Sequence, residues 1–232
     1  MHDGPRVKIC GLCRRQDALT ADALGVDYLG VVLTPGFGRS VTVAEGSSIL
    51  EGVGATRVAV VVDESADRVA AVARALPAKV IQLHGSEAPE WVRELRAHGE
   101  WTIWKALRAR APEDVARTLD VFGTLIDGLL LEGWKEEVVG GGGARLDPDT
   151  FSAARDLIPE PLDLILAGGL TPGSVGSAVA RFQPDVVDVS SGVEARPREK
   201  DPDRLRRFVQ NARGAAGVSR RSSREPRGEG PS

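Results

Sequence analysis

The chain has 232 residues, of which 42% are hydrophobic, and its formal net charge is −3. This length fits one large domain with a sizeable core, and the charge excludes a general attraction to nucleic acid or to acidic membranes. The N-terminus lacks the apolar region of a signal peptide, and no window has the length of a membrane span. We therefore expect a cytoplasmic protein with neither a nucleic-acid nor a membrane partner.

Cys10 and Cys13 are the only cysteines, and their C-x-x-C spacing is also found in zinc and redox sites. A zinc site needs two more soft ligands, and only His2, His84 and His98 are available as histidines. Cys10 lies inside an apolar run, whereas the first thiol of a thioredoxin-like motif is exposed at a helix start. We expect neither site, and free thiols indicate a reducing compartment.

A short aliphatic run, a polar or glycine-rich loop and an amphipathic stretch alternate eight times along the chain. The predicted strands are Val7–Leu12, Tyr28–Leu33, Arg57–Val62, Lys79–Leu83, Thr102–Leu107, Gly128–Leu131, Leu162–Ala167 and Val186–Val189. The predicted helices begin near Gln16, Val43, Ala66, Pro89, Pro112, Asp147, Gly173 and Asp201.

This alternation predicts an α/β fold, a single (β/α)8 TIM barrel over residues 1–213. Nearly continuous apolar strands are typical of a parallel sheet that is buried on both faces, and strict alternation implies crossover helices. No G-x-G-x-x-G follows the first strand, which disfavours a dinucleotide fold. The tail, residues 214–232, is rich in Gly, Ser, Arg and Pro and is predicted to be disordered; a basic interaction tail is the alternative.

Functional residues of such barrels follow the strands, so the strand ends carry the candidates. Cys10 ends the first strand, and a thiol there can act as a base if its pKa is lowered. Lys8 shares a face with Cys10 and can supply positive charge; the alternative is a small buried hydrophobe. Arg39 follows the second strand and can hold a carboxylate, unless it is a solvated surface residue.

The fourth and sixth predicted strands end in polar side chains. Gln82 and His84 share a face just before Gly85, although a lone histidine is more often structural. Glu132 follows three leucines, and charge rarely enters an apolar run without a task or a partner; a helix cap or a salt bridge is the alternative. The four glycines at 140–143 can close over a ligand or serve as a plain linker.

Two small glycine-rich turns follow the seventh and eighth strands. The first contains Gly168 and Gly169, and the second contains Ser190, Ser191 and Gly192. Backbone N–H groups of such turns can face an anion. Because barrels commonly bind phosphate after these two strands, the pair predicts a phosphate site.

Four segments carry a resemblance to a known family: KICGL, QLHG, LAGGLTPGSV and VDVSSGVEARPREKD. With them the chain resembles phosphoribosylanthranilate isomerase, an enzyme family of tryptophan biosynthesis, from residue 7 to about residue 213. The resemblance implies a barrel of the ribulose-phosphate-binding type. It also implies a small phosphosugar substrate, no metal or organic cofactor, and a monomer or homodimer.

The family catalyses an Amadori rearrangement of N-(5-phosphoribosyl)anthranilate to 1-(2-carboxyphenylamino)-1-deoxyribulose 5-phosphate. This aldose–ketose isomerisation needs an acid at the ring oxygen and a base for the C2 proton. The resemblance implies Cys10 as the base, Glu132 as the acid and Arg39 for the anthranilate carboxylate. Further implied substrate-binding residues are Lys8, Gln82, His84 and Asp188. The implied phosphate-binding residues are Gly141, Gly142, Gly168, Gly169, Ser190, Ser191 and Gly192.

The chain departs from the family pattern at three places. Glu132 stands where the family usually has Asp, four glycines replace Gly-Gly-Thr/Ser-Gly, and only Arg39 remains of a Ser-Pro-Arg loop. All three lie near the aromatic end of the substrate. A paralogue that acts on another N-glycosyl or aminosugar phosphate, and a non-catalytic phosphate-binding barrel, are therefore the alternatives. The leucines before Glu132 predict a raised pKa for this carboxyl, and Asp188 and Asp127 are the next candidates for the acid.

Overall fold

The eight predicted strands close into one parallel barrel in the order β1 to β8. A computed structural model describes residues 4–133 and 148–215. The strands are β1 Arg6–Ile9, β2 Tyr28–Val32, β3 Thr56–Val61, β4 Val80–Leu83, β5 Thr102–Ala109, β6 Gly128–Gly133, β7 Asp163–Leu166 and β8 Val186–Val189. The helices are α1 Arg15–Ala23, α2 Val43–Ile49, α3 Ala66–Ala75, α4 Pro89–Ala97, α5 Pro112–Phe122, α6 Pro148–Leu157, α7 Val175–Phe182 and α8 Pro202–Gly214. The predicted (β/α)8 barrel is confirmed.

Several helices begin where the sequence satisfies their first N–H groups. In α2, Thr42 and Glu45 form a capping box. Asp201 caps α8 by accepting from two backbone N–H groups at 2.9 Å each. Proline occupies the first turn of α4, α5 and α8, where its missing N–H costs nothing.

The barrel interior is filled by the inward-facing side chains of alternate strand residues. They are Cys10, Val58, Val60, Val80, Trp104, Leu130, Ile165, Ala167 and Val186. Trp104 is fully buried and meets the ring of Tyr28 edge-on, with centroids 4.8 Å apart. Since successive side chains of a strand point to opposite faces, the even-numbered residues of β1, β4, β5, β6 and β8 face inward. This parity sends Lys8, Gln82 and Asp188 into the barrel.

The barrel closes where β1 pairs with β8, and this register fixes part of the site. Lys8 lies opposite Asp188 across the seam. At the amino end of the barrel, Asp127 precedes β6 and accepts from Arg96 and from the N–H of Ile103 at 2.7 Å each. The prediction of Asp127 as a further candidate for the acid is wrong, because its carboxylate lies at the amino end of the barrel and the mouth is at the carboxyl end.

Some elements differ from the sequence prediction. The first strand ends at Ile9 because Gly11, at φ +66°, turns the chain, so Cys10 follows β1. The fifth strand continues to Ala109 instead of Leu107. A small hairpin after β8, β9 Glu194–Arg196 and β10 Glu199–Lys200, was not predicted. Within residues 4–133 and 148–215, no helix combines the length and apolarity needed to cross a membrane.

Candidate active site

Lys8, Cys10 and Asp188 form a compact cluster on the inner face of the β1–β8 seam. The side chain of Lys8 is completely buried, and its Nζ donates to Asp188 Oδ2 at 2.9 Å. Gly30, on β2, leaves room for this cluster, because a Cβ there would lie 3.2 Å from Cys10 Sγ and 3.3 Å from Lys8 Cε. The predicted common face of Lys8 and Cys10 is therefore confirmed.

Burial dominates the ionisation of the Cys10 thiol. Burial raises the pKa of Cys10, Lys8 and Lys200 lower it, and Asp188 raises it again, so the pKa lies above its ordinary value. Burial lowers the pKa of Lys8, but Asp188 and Cys10 raise it above its usual range. The positive charge expected beside the thiol is present, but the lowered pKa that a ready thiolate needs is not, because burial and Asp188 outweigh the two lysines.

Across the mouth, three side chains from β6, β4 and the residue that follows β4 form a hydrogen-bonded row. Gln82 Nε2 lies 2.9 Å from His84 Nδ1, and His84 Nε2 lies 3.2 Å from Glu132 Oε2. Arg108 flanks the row, because β5 and β6 pair it with Glu132, and its Nε is 3.5 Å from the same Oε2. The predicted shared face of Gln82 and His84 is thus confirmed.

The expected raised pKa of Glu132 is wrong. Burial does raise it, but His84 and then Arg108 lower it, and the net pKa lies below the ordinary value. The preceding leucines mislead because Leu129 and Leu131 pack outward against the helices. The carboxylate itself faces a hydrogen-bond donor and a cation, which favour its charged form.

Arg39 is already engaged by a carboxylate of its own chain. Its Nε and Nη2 donate to the two oxygens of Glu194 at 2.6 Å each, a bidentate ion pair. Lys200 Nζ also donates to Glu194, at 3.1 Å. Gly11 lies directly beneath, since a Cβ there would meet Arg39 Cδ at 2.5 Å. The arginine therefore reaches the mouth in a fixed orientation, with Nε and Nη2 used inside the protein.

The two glycine-rich turns lie against each other. Gly168 and Gly169 have φ of 86° and 66°, a left-handed conformation that glycine adopts without strain. A Cβ on Gly192 would lie 1.8 Å from the carbonyl oxygen of Leu170, so the second turn packs directly on the first. The structure thereby brings together the turns from which a phosphate site was predicted. The other predicted phosphate residues, Gly141 and Gly142, lie outside the described residues.

A buried lysine ties the second turn to the hairpin that follows it. Lys200 Nζ donates to the carbonyl of Ser190 at 3.0 Å and contacts the Ser190 hydroxyl at 3.4 Å. Burial lowers the pKa of Lys200, and Glu194 and Cys10 raise it only partly, so the net shift is downward. The serine turn is therefore fixed by a cation that points away from solvent.

Three charged residues of this mouth were not predicted: Arg108, Glu194 and Lys200. Arg108 could have been found by continuing the inward alternation of Trp104 and Ala106 two residues further. Glu194 and Lys200 lie inside the quoted segment VDVSSGVEARPREKD, but their burial, at 6% and 3% exposure, depends on a hairpin that has no periodicity in the sequence.

The two cysteines do not form a disulfide bond. Cys10 and Cys13 are both free thiols, and Cys13 Sγ lies 3.5 Å from the carbonyl oxygen of Arg39. Among residues 4–133 and 148–215, no three His, Cys, Asp or Glu side chains are grouped so that they could hold a metal ion. Among these described residues, the mouth holds a thiol, Cys10, at the end of β1 and a carboxylate, Glu132, on β6.

Known proteins share this barrel from end to end. Residues 7–211 match the family model described as N-(5'-phosphoribosyl)anthranilate (PRA) isomerase. The chain is 38% identical over 213 residues to the N-(5'-phosphoribosyl)anthranilate isomerase of Azotobacter vinelandii, an alignment that covers 90% of this chain and 98% of that protein.

Solved structures agree with the sequence relatives. Monomers generated from the dimeric phosphoribosylanthranilate isomerase of Thermotoga maritima share 33% identity and a TM-score of 0.78, with 90% of this chain and 99% of theirs covered. Another phosphoribosyl anthranilate isomerase was solved in complex with reduced 1-(o-carboxyphenylamino)-1-deoxyribulose 5-phosphate. It shares 32% identity and a TM-score of 0.78, with 90% and 99% covered. The similarity therefore includes all the elements that build the mouth.

Proposed function

The chain belongs to the N-(5'-phosphoribosyl)anthranilate isomerase family, and we propose that Cys10 and Glu132 are the base and the acid of its reaction. The protein is an isomerase of tryptophan biosynthesis that catalyses an Amadori rearrangement of N-(5'-phosphoribosyl)anthranilate. The observation that supports the two roles is their placement, since both side chains face the mouth of the barrel from opposite sides of its interior.

The reaction divides between these two groups. Glu132 gives a proton to the ring oxygen of the ribose, the bond between this oxygen and C1 breaks, and the nitrogen lone pair forms a protonated imine. Cys10 then removes the proton from C2, which gives an enol that carries the amine on C1. This enol gains a proton at C1 and loses the proton on O2 to become the ketone of the product, and exchange with solvent restores the thiolate and the carboxylic acid. Each transfer typically contributes about 10²- to 10⁴-fold in rate.

The pKa directions require an unusual distribution of protons. The base has a raised pKa and the acid a lowered one, so at neutral pH the prevalent form is a thiol beside a carboxylate. The active form, a thiolate with a carboxylic acid, is a minor population. The rate then rises with pH through the pKa of Glu132 and falls through that of Cys10. In compensation, a thiolate with a raised pKa is a stronger base, and Lys8 stays charged to pair with it.

The substrate can be placed from its two anionic ends. We propose that the phosphate binds to N–H groups of the turns at Gly168–Gly169 and Ser190–Gly192, where small residues let an anion approach the backbone. Asp188 and Lys8 then face the sugar, and Arg39 meets the anthranilate carboxylate through Nη1, since Glu194 uses its other edge. His84 lies on the sugar side of Glu132. Gln82 is 1% exposed and acts through His84, not on the substrate.

The setting of the enzyme follows from this activity. We propose a cytoplasmic isomerase with a small-molecule substrate, no nucleic-acid partner and no cofactor. Proton transfer by a thiol and a carboxylate completes the reaction without a further reagent. Light scattering of the full chain distinguishes a monomer from a homodimer.

Turnover tests the proposed roles. Purified full-length protein should consume N-(5'-phosphoribosyl)anthranilate, and the chain should restore growth without tryptophan to a strain that lacks this isomerase. The double variant Cys10→Ala/Glu132→Gln should do neither, although it folds with an unchanged circular dichroism spectrum. Turnover of another aminosugar phosphate by the same protein, with none of this substrate, would favour the paralogue; turnover by the double variant would refute both assigned roles.

A further inference from the structure

The acid of this site is the last member of the row Gln82–His84–Glu132, which we call the acid row. Its two links, of 2.9 Å and 3.2 Å, both involve the imidazole of His84. Ala106 lies between β4 and β6 on the inner face of β5, and its small side chain leaves space for the imidazole to reach across. The histidine is therefore held at both nitrogens by side chains of its own chain.

The first link determines which nitrogen of His84 carries the proton. An amide N–H of Gln82 that faces Nδ1 requires Nδ1 to be the acceptor. The single proton of the neutral imidazole is then on Nε2, where it is donated to Glu132. This arrangement favours the carboxylate form of Glu132, because an N–H donor faces its oxygen.

The other atom of the same amide has no partner. Gln82 Oε1 is buried and accepts no hydrogen bond within the part of the chain that the structure describes. A buried acceptor without a partner is unfavourable, because it has lost water and gained no hydrogen bond in return. Rotation of the amide by half a turn would bring this oxygen to Nδ1, where it accepts a proton that Nδ1 then carries. Because one end of the amide stays unpaired in either orientation, the rotation loses no hydrogen bond, and the second orientation is accessible.

Within the described ranges, the charged groups around the acid row do not contact His84 Nδ1. On β5, Arg108 lies 3.5 Å from Glu132 and is largely exposed. Behind His84, Glu87 is paired with Lys105 at 3.0 Å, and Asp63 accepts from the N–H of Ser86. These groups have partners of their own, so Gln82 is the one polar side chain among the described residues within hydrogen-bond distance of Nδ1.

We propose that Gln82 is a positioning residue for the acid: its amide selects the tautomer of His84, and His84 in turn sets whether Glu132 carries the proton. With the amide nitrogen at Nδ1, Glu132 is a carboxylate. With the amide oxygen at Nδ1, His84 Nε2 has a lone pair and accepts from the protonated carboxyl of Glu132. The inference rests on Glu132 as the proposed acid.

The proton balance of this exchange is simple. One proton enters at His84 Nδ1 from solvent while the Nε2 proton moves to Glu132 Oε2, and the amide of Gln82 turns. Glu132 then gives its proton to the ring oxygen of the substrate. Loss of the Nδ1 proton, with return of a proton to Nε2, restores the starting state. The minor, protonated form of the acid thereby has a defined source.

The tautomer can be observed directly. The chain has three histidines, so two-bond 15N–1H correlation spectra of the labelled full-length protein contain few imidazole signals. The signals of His84 are those that disappear in His84→Asn. We expect Nε2–H in the wild type at alkaline pH. In Gln82→Glu, whose carboxylate only accepts, we expect the Nδ1–H tautomer at the same pH. His98, which faces Asp67, should be unchanged.

Kinetics supply the second measurement. Gln82→Glu should move the ascending limb of kcat/KM against pH to higher pH. Gln82→Met keeps the shape of the side chain but cannot select a tautomer of His84. It should lower kcat about 10- to 100-fold, the usual loss when a residue that orients a functional group is removed. KM should be nearly unchanged. Gln210→Glu, on the exposed face of α8, is the matched control and should change neither quantity.

The outcomes separate this inference from the assignment of the acid. An Nδ1–H tautomer in the wild type at alkaline pH would overturn the role of Gln82. The same result would follow if all Gln82 variants kept the wild-type tautomer and the wild-type ascending limb of kcat/KM against pH. Full turnover by Glu132→Gln would instead remove the acid itself. If Gln82→Glu does not fold, Gln82→Met decides the matter through the tautomer, which should become a mixture.

Discussion

The two sides of the barrel mouth control their protons by different means. On the β1–β8 side, Lys8, Cys10 and Asp188 are buried, and burial is the largest influence on the thiol. On the β4–β6 side, His84 and Glu132 are partly exposed. Burial raises the pKa of Glu132, but the hydrogen bond from His84 and the nearby cation Arg108 together outweigh it. The pKa of Cys10, the proposed base, is thus governed by burial, and the pKa of Glu132, the proposed acid, by its neighbours. Substitutions should accordingly act on the two sides in different ways.

The largest effect is expected on the enclosed side. Cys10→Ala removes the proposed base for the C2 proton, so kcat should fall toward the upper end of about 10²- to 10⁴-fold. Cys10→Ser should be nearly as poor, because a hydroxyl is a far weaker base than a thiolate. Cys13→Ser is the matched control and should keep normal turnover in steady-state assays. Full activity of Cys10→Ala would show that enclosure does not define the base.

Glu132→Gln tests the β4–β6 side of the mouth. The substitution keeps the shape of the side chain but removes the carboxyl that donates the proton, and kcat should fall by at least about 10²-fold. Binding of a non-reacting phosphosugar, measured by calorimetry, should be nearly unchanged because the phosphate turns lie elsewhere. Glu132→Asp shortens the arm by one methylene and should also lose activity on N-(5'-phosphoribosyl)anthranilate, since proton transfer depends on reach. A gain of activity would instead indicate a different natural substrate.

The rigidity of the proposed phosphate-binding turns can be tested at one glycine. Gly192→Ala places a Cβ where the carbonyl oxygen of Leu170 lies, and overpacking of this kind costs about 1–3 kcal/mol. We expect a lower Tm and weaker binding of inorganic phosphate. Gly173→Ala is the control, because its nearest neighbour would be the Thr171 hydroxyl at 3.9 Å. Equal Tm values for the two variants would mean that the turns can relax.

The smallest effect is expected at Arg108. This exposed cation lowers the pKa of Glu132, so Arg108→Gln should raise that pKa and enlarge the active population of protonated acid. The ascending limb of the pH profile should move to higher pH, and kcat/KM at neutral pH should rise at most about fivefold, since exposed ion pairs are worth about 0.2–1 kcal/mol. A large fall in kcat/KM would mean that Arg108 binds the substrate.

The strand pattern was sufficient to predict the barrel and the identity of most mouth residues. Their protonation was not predictable, because it depends on partners that lie far away in the sequence. Glu132 follows three leucines, and burial does raise its pKa, yet the net shift is downward because of His84, which lies 48 residues earlier, and of Arg108. Arg39 looks available in its loop, yet it is bound to Glu194, 155 residues later. Local sequence therefore indicates which residues reach the mouth, but not the charge that they carry there.

The seam between β1 and β8 makes the active site depend on both ends of the folded chain. Lys8 and Asp188 are 180 residues apart, and Lys8 has its counter-ion only when the first and last strands are paired. A chain whose synthesis has not yet reached β8 leaves that ammonium without its carboxylate. The proposed catalytic centre is therefore completed late, when the ring of strands closes, and no fragment that omits β1 or β8 contains the environment of Cys10.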